Sequence, residues 1–113
     1  MIQWQNQMVR ERDWEQFHSP KNLAMALAGE AGELLELFQW LSIEESQALK
    51  NNPEKMTEVR HEIADILYYV CRFSSVMGFD LEQAFWEKME IAKKKYPVHQ
   101  AKGNAKKYTE FKD

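Results

Sequence analysis

The chain has 113 residues, 44% hydrophobic and 29% charged, the composition of one globular domain and not of a disordered or fibrous segment. Its formal charge of −3 gives no overall pull toward nucleic acid or an anionic membrane, so neither is an expected partner. The lone Cys71 excludes an intrachain disulfide, and no run reaches the roughly 18 apolar residues of a membrane helix.

Met1-Ile2-Gln3-Trp4 opens without the basic and apolar regions of a signal peptide, which makes the cytoplasm the expected compartment. The first predicted helix covers about residues 2–16, with Trp4, Met8 and Trp14 scattered around its axis. Ser19 then offers a cap and Pro20 a first helical position, opening a second helix that runs to about Trp40. At about 100° per residue, Leu23, Leu27, Leu34, Leu37, Phe38 and Leu41 form its apolar stripe. Ser42-Ile43-Glu44-Glu45 reads as a capping box for a short helix to about Lys50.

Asn52-Pro53 starts the longest predicted helix, about residues 53–77, with Ile63, Ile66, Tyr69, Val70 and Phe73 on one stripe. Cys71 lies in that apolar run, which suits an inert buried thiol better than a nucleophile. Gly78 ends the helix, and Asp80 caps another over about 81–95 with Leu81, Phe85, Met89 and Ala92 inward. Pro97 closes it. Without repeats or strand-like alternation, the expected fold is all-α: an antiparallel bundle of about four to five helices. It forms a single domain over 1–97, and a basic tail without helical pattern follows over 98–113. So short a chain leaves apolar surface uncovered, which predicts assembly of subunits.

The position of the acids is the informative feature. Glu30 falls at nearly the same angle as Leu23, Leu34 and Leu37, and Glu33 lies about 60° further round. On the longest helix Glu62 and Asp65 flank Ile66, Tyr69 and Phe73. A lone Glu-x-x-Glu is more often a solvated face. Two i,i+3 pairs encroaching on apolar stripes, with no matching Arg or Lys there, call instead for a hard cation such as Mg²⁺. Lys88 and Lys95 read either as snorkelling side chains or as groups that meet phosphate oxygens.

Glu30-Ala31-Gly32-Glu33 followed by Glu62-Ile63-Ala64-Asp65 resembles the ExxE…ExxD signature of MazG-like nucleotide pyrophosphohydrolases. Arg12 through His18, Pro20 through Leu23, Phe38-Gln39-Trp40, Tyr96-Pro97-Val98 and Lys106 through Glu110 resemble the dCTP pyrophosphatase branch. The resemblance implies a homotetramer and Mg²⁺-dependent cleavage of a deoxynucleoside triphosphate, dCTP preferred, to monophosphate and pyrophosphate. It implies Glu30, Glu33, Glu62 and Asp65 as metal ligands. It also implies a nucleotide pocket from Trp14, Glu15, Gln16, Phe17, His18, Trp40 and Tyr69, and phosphate contacts from Lys88 and Lys95. From the residues alone, Trp14 and Trp40 read as core packing.

Gln5 stands where some relatives carry a substrate-binding His, and Ala92 where they often carry Asn. Gln5, Gln16 and His18 are the polar candidates for reading a base edge. Glu33, pointing away from the stripe centre, is the preferred group to position or deprotonate the attacking water. Two other readings remain at this stage. Glu58-Val59-Arg60-His61 carries the Glu-x-x-His of a di-iron bundle, but in one copy where two are needed. Trp40 and Trp86 would anchor a non-enzymatic interaction module.

Overall fold

The computed structural model describes residues 1–112; Asp113, the last residue of the expected tail, lies outside the described residues. Among the described residues there are six α-helices and no strand: α1 (Ile2–Glu11), α2 (Pro20–Phe38), α3 (Ile43–Ala48), α4 (Pro53–Met77), α5 (Leu81–Lys95) and α6 (Val98–Ala101). The all-α expectation holds. The chain forms two compact units, Met1–Gly78 and a second beginning at Phe79.

Local chemistry sets the boundaries of the longer helices. The Ser19 hydroxyl accepts from the Asn22 amide at 3.1 Å, and Pro20 supplies a φ already suited to the first turn of α2. Ser42 and Glu45 close the predicted capping box on α3 at 3.0 Å in each direction. Asn52 caps α4, and Gly78 ends it with φ of 78°, a left-handed conformation that costs glycine nothing. Asp80 caps α5 through the Gln83 amide at 2.8 Å.

The first predicted helix is too long. α1 stops at Glu11, Asp13 turns the chain with φ of 54°, and Glu15–Phe17 form a separate 3₁₀ turn. The weak apolar period of that stretch explains the break: Trp14 lies 41% exposed, so no buried stripe carries the helix past Glu11.

In the first unit α4 is flanked by α2 and α1. Glu30 meets Glu62 and Asp65, while Leu41 beyond the end of α2 shares a cavity with Asn52 and Lys55, so α2 and α4 run antiparallel. α1 meets the C-terminal half of α4, where Gln5 donates to the Tyr68 carbonyl at 3.4 Å and Asn6 meets Arg72. The buried residues follow that coverage: Gln5, Val9, Leu23, Cys71, Arg72 and Ser74. Ile63, expected on the inward stripe, is 49% exposed because it precedes the stretch that α1 covers.

The second unit departs further from expectation. Phe85 and Met89, expected inward on α5, are exposed, for the described residues of this unit hold no second long helix to cover them. The tail is not featureless. It contains α6 and a 3₁₀ turn at Tyr108–Glu110, and Tyr108 and Phe111 stack edge-on against Tyr96 at 6.0 and 5.6 Å. The polar composition of 98–113 concealed these aromatic anchors.

Candidate metal centre

α2 contributes Glu30 and Glu33, and α4 contributes Glu62 and Asp65. In each pair the i,i+3 spacing sets both carboxylates on one side of the helix, and antiparallel packing turns the two sides toward one another. One oxygen each from Glu30, Glu62 and Asp65 lies within 4.8 Å of the others. Glu33, exposed like Asp65, borders a cavity of about 550 Å³ with Glu36, Leu37, Glu58, His61 and Glu62.

Among the described residues no salt bridge reaches the cluster. Oε2 of Glu30 and Oε2 of Glu62 are both buried and without a hydrogen-bond donor. Desolvation pushes the Glu62 carboxyl up to about 7, and facing oxygens and charge of Glu30 and Glu33 add to it. Acceptors that face acceptors need a proton or a cation between them. Three carboxylate oxygens at this spacing suit a hard divalent ion, and the orphaned oxygens are where it would bind. Tyr69 stands beside the cluster: burial raises its hydroxyl pKa, and the charges of Glu30 and Asp65 raise it further.

Other expected site residues fall elsewhere. Trp40 is 86% exposed and Trp14 41%, so neither is the core residue that tryptophan usually is. The Arg12 guanidinium sits 5.8 Å above the Trp14 ring. Among the described residues no ring contact joins Trp14, Trp40 and Tyr69 into one aromatic wall. Glu15 and Phe17 are exposed on the 3₁₀ turn, and the Gln16 amide turns back to Asp13 at 3.0 Å. Gln5 is 5% exposed, its amide spent on the Tyr68 carbonyl, so it stands in the core and not at an open base edge. Lys88 and Lys95 are exposed on α5 in the second unit, where the Lys95 ammonium lies 4.6 Å above the Tyr108 ring.

A second polar group was missed from sequence. Arg72 is 5% exposed, and its guanidinium donates to His18 Nδ1 at 3.1 Å and to Asn6 Oδ1 at 2.7 Å. The signal was present: Arg72 is the one cation inside Tyr68-Tyr69-Val70-Cys71-Arg72-Phe73, two turns beyond Asp65. Glu58 and His61, the single Glu-x-x-His copy, line the acidic cavity.

A MazG-like family model matches residues 26–111, which include Glu30, Glu33, Glu62 and Asp65. The chain belongs to the MazG-like family. Among curated MazG-like relatives, dCTP pyrophosphatase 1 of Bos taurus is 44% identical over 93% of this chain and 62% of its own length. The Homo sapiens protein of that name is 41% identical with the same coverage. The chain thus spans about 62% of the length of these relatives. The crystal structure of a pyrophosphatase from Archaeoglobus fulgidus is 37% identical, superposes with a TM-score of 0.72, and shares 81% of this chain and 84% of that one. No helix among the described residues is long and apolar enough to cross a membrane.

Proposed function

We propose that the protein is a Mg²⁺-dependent nucleoside triphosphate pyrophosphohydrolase that converts dCTP, or 5-substituted dCTP, to the monophosphate and pyrophosphate. One observation carries the reading: carboxylates from two helices converge with buried oxygens that have no donor. The names of the mammalian relatives support the substrate class.

Glu30, Glu62 and Asp65 would hold the cation, with Glu33 at their exposed side. When bound, Mg²⁺ supplies charge neutralisation and Lewis acidity toward the triphosphate oxygens. Glu33 borders open cavity space, so its carboxylate would be the group placed to take a proton from an attacking water, with Glu30, Glu62 and Asp65 left to hold the cation. Trp14, Trp40 and Tyr69 would supply flat faces to the base, and Lys88 and Lys95 positive charge to the phosphates. In the first unit Trp4, Met25 and Leu35 are each more than half exposed, which supports assembly as a homotetramer in which a neighbouring subunit covers them.

A screen of the natural nucleoside triphosphates with Mg²⁺, scoring pyrophosphate against orthophosphate, tests the activity. Pyrophosphate release with the highest kcat/KM for dCTP is expected. Orthophosphate as the first product overturns the reaction type, whereas faster turnover of dUTP or dATP overturns only the base preference. Sedimentation should give a tetramer at micromolar concentration, and a monomer there would remove the assembly.

A further inference from the structure

A buried arginine normally pairs with a carboxylate, because an uncompensated charge away from water is costly. Arg72 is an exception. Among the described residues it forms no salt bridge, and the two groups it holds, His18 Nδ1 and Asn6 Oδ1, are neutral acceptors. All three line a cavity of about 400 Å³ together with Arg10, Glu15 and Ser75. α1 supplies Asn6, α4 supplies Arg72, and His18 follows the 3₁₀ turn, so three separate segments meet on one guanidinium.

The direction of the bond to His18 has a chemical consequence. The arginine Nε carries only a hydrogen to give, so the imidazole Nδ1 facing it must offer a lone pair. A neutral imidazole with a bare Nδ1 carries its hydrogen on Nε2. We propose that Arg72, braced by Asn6, is a positioning residue that locks His18 as the Nε2–H tautomer and so gives the cavity a hydrogen-bond donor of fixed identity. The surroundings agree: burial and then the Arg72 charge lower the His18 pKa, which keeps the ring neutral. Glu15 lines the same cavity and is a carboxylate acceptor. A fixed donor and an acceptor in one cavity complement an amino–aza edge, which cytosine presents with its amino group and bare N3. Thymine presents the reverse, a carbonyl and an N3–H. This reasoning rests on the deoxynucleotide reading for its substrate consequence, though not for the tautomer itself.

The test has two arms. Long-range ¹⁵N–¹H spectra of the wild-type chain without nucleotide should show His18 Nδ1 at the shift of a bare nitrogen and Nε2 at that of a protonated one. In Arg72→Met, whose side chain has no donor, the tautomers should mix and the His18 titration should move up toward 6.5. The ratio of kcat/KM for dCTP over dTTP should then fall about tenfold, the worth of one buried hydrogen bond. Arg72→Gln, which retains an N–H donor, should recover part of both readouts. A protonated Nδ1 in the wild type overturns the proposal whether or not either variant folds. So does an Arg72→Met protein that keeps the ratio, or that loses dCTP and dTTP turnover equally. If the wild type turns over neither nucleotide, the proposed function fails, and the spectrum alone decides the tautomer.

Discussion

α4 carries two polar groups about 15 Å apart along its axis, and they are built in opposite ways. At Glu62 and Asp65 like charges gather, and buried oxygens have no donor. At Arg72 a single cation is satisfied from within by His18 and Asn6. The first group is incomplete as a protein structure and complete only with something positive added. The second is finished by the fold and offers its neighbour's free edge outward. The difference separates a site that binds by need from one that recognises by pre-set geometry, and charge balance alone distinguishes them.

The largest expected effect comes from removing the first group's charge. Glu62→Gln should cost at least about 100-fold in Mg²⁺-dependent pyrophosphate release, since even outer partners of metal ligands cost about 10–100-fold. Helical circular dichroism should be unchanged, and the metal-free protein should melt higher, because a like-charge contact has gone. Wild-type activity in this variant would make the two groups equivalent and the comparison empty.

The two groups should also respond to pH with opposite sign. Glu62 is raised in the folded chain, so between about 4.5 and about 7 the folded state holds a proton that the unfolded state has lost. Its contribution is full at low pH and declines as pH rises through that window. His18 is lowered, so its contribution is present above 6.5 and is lost as pH falls through its folded pKa. Thermal melts of metal-free protein should therefore fall from pH 6 to pH 8, and Glu62→Gln should flatten that limb. Mg²⁺ should restore stability most strongly at the alkaline end. A wild-type melting temperature that rises from pH 6 to pH 8 without metal would contradict the Glu62 assignment.

The smallest effect is a control on both. Asn52→Ala removes the cap of α4 through the Lys55 amide, at a distance from either group. It should lower stability by about 1 kcal/mol, a few degrees in Tm, without changing Mg²⁺ affinity or the dCTP to dTTP ratio. A change in either functional readout would mean that the sites depend on the end of the helix and not on their own contacts.

The sequence by itself determined the helices wherever a cap or a breaker acts within a few residues. Ser19-Pro20, the Ser42 and Glu45 box, Asn52-Pro53, Gly78 and Asp80 each mark an end through bonds local to the chain, and all hold. It also determined the acid pairs, because i,i+3 spacing on a helix fixes a shared face. Trp14, Trp40 and Gln5 were not legible in this way. Whether a tryptophan packs or stands free, and whether a glutamine faces a ligand or the Tyr68 carbonyl, depends on which helix arrives opposite. Only the tertiary structure decided that α1 covers the C-terminal half of α4 and leaves Ile63 open. The Arg72, His18 and Asn6 network was decided there too: His18 and Asn6 lie 54 and 66 residues from Arg72, so no local pattern joins them to it until the helices pack.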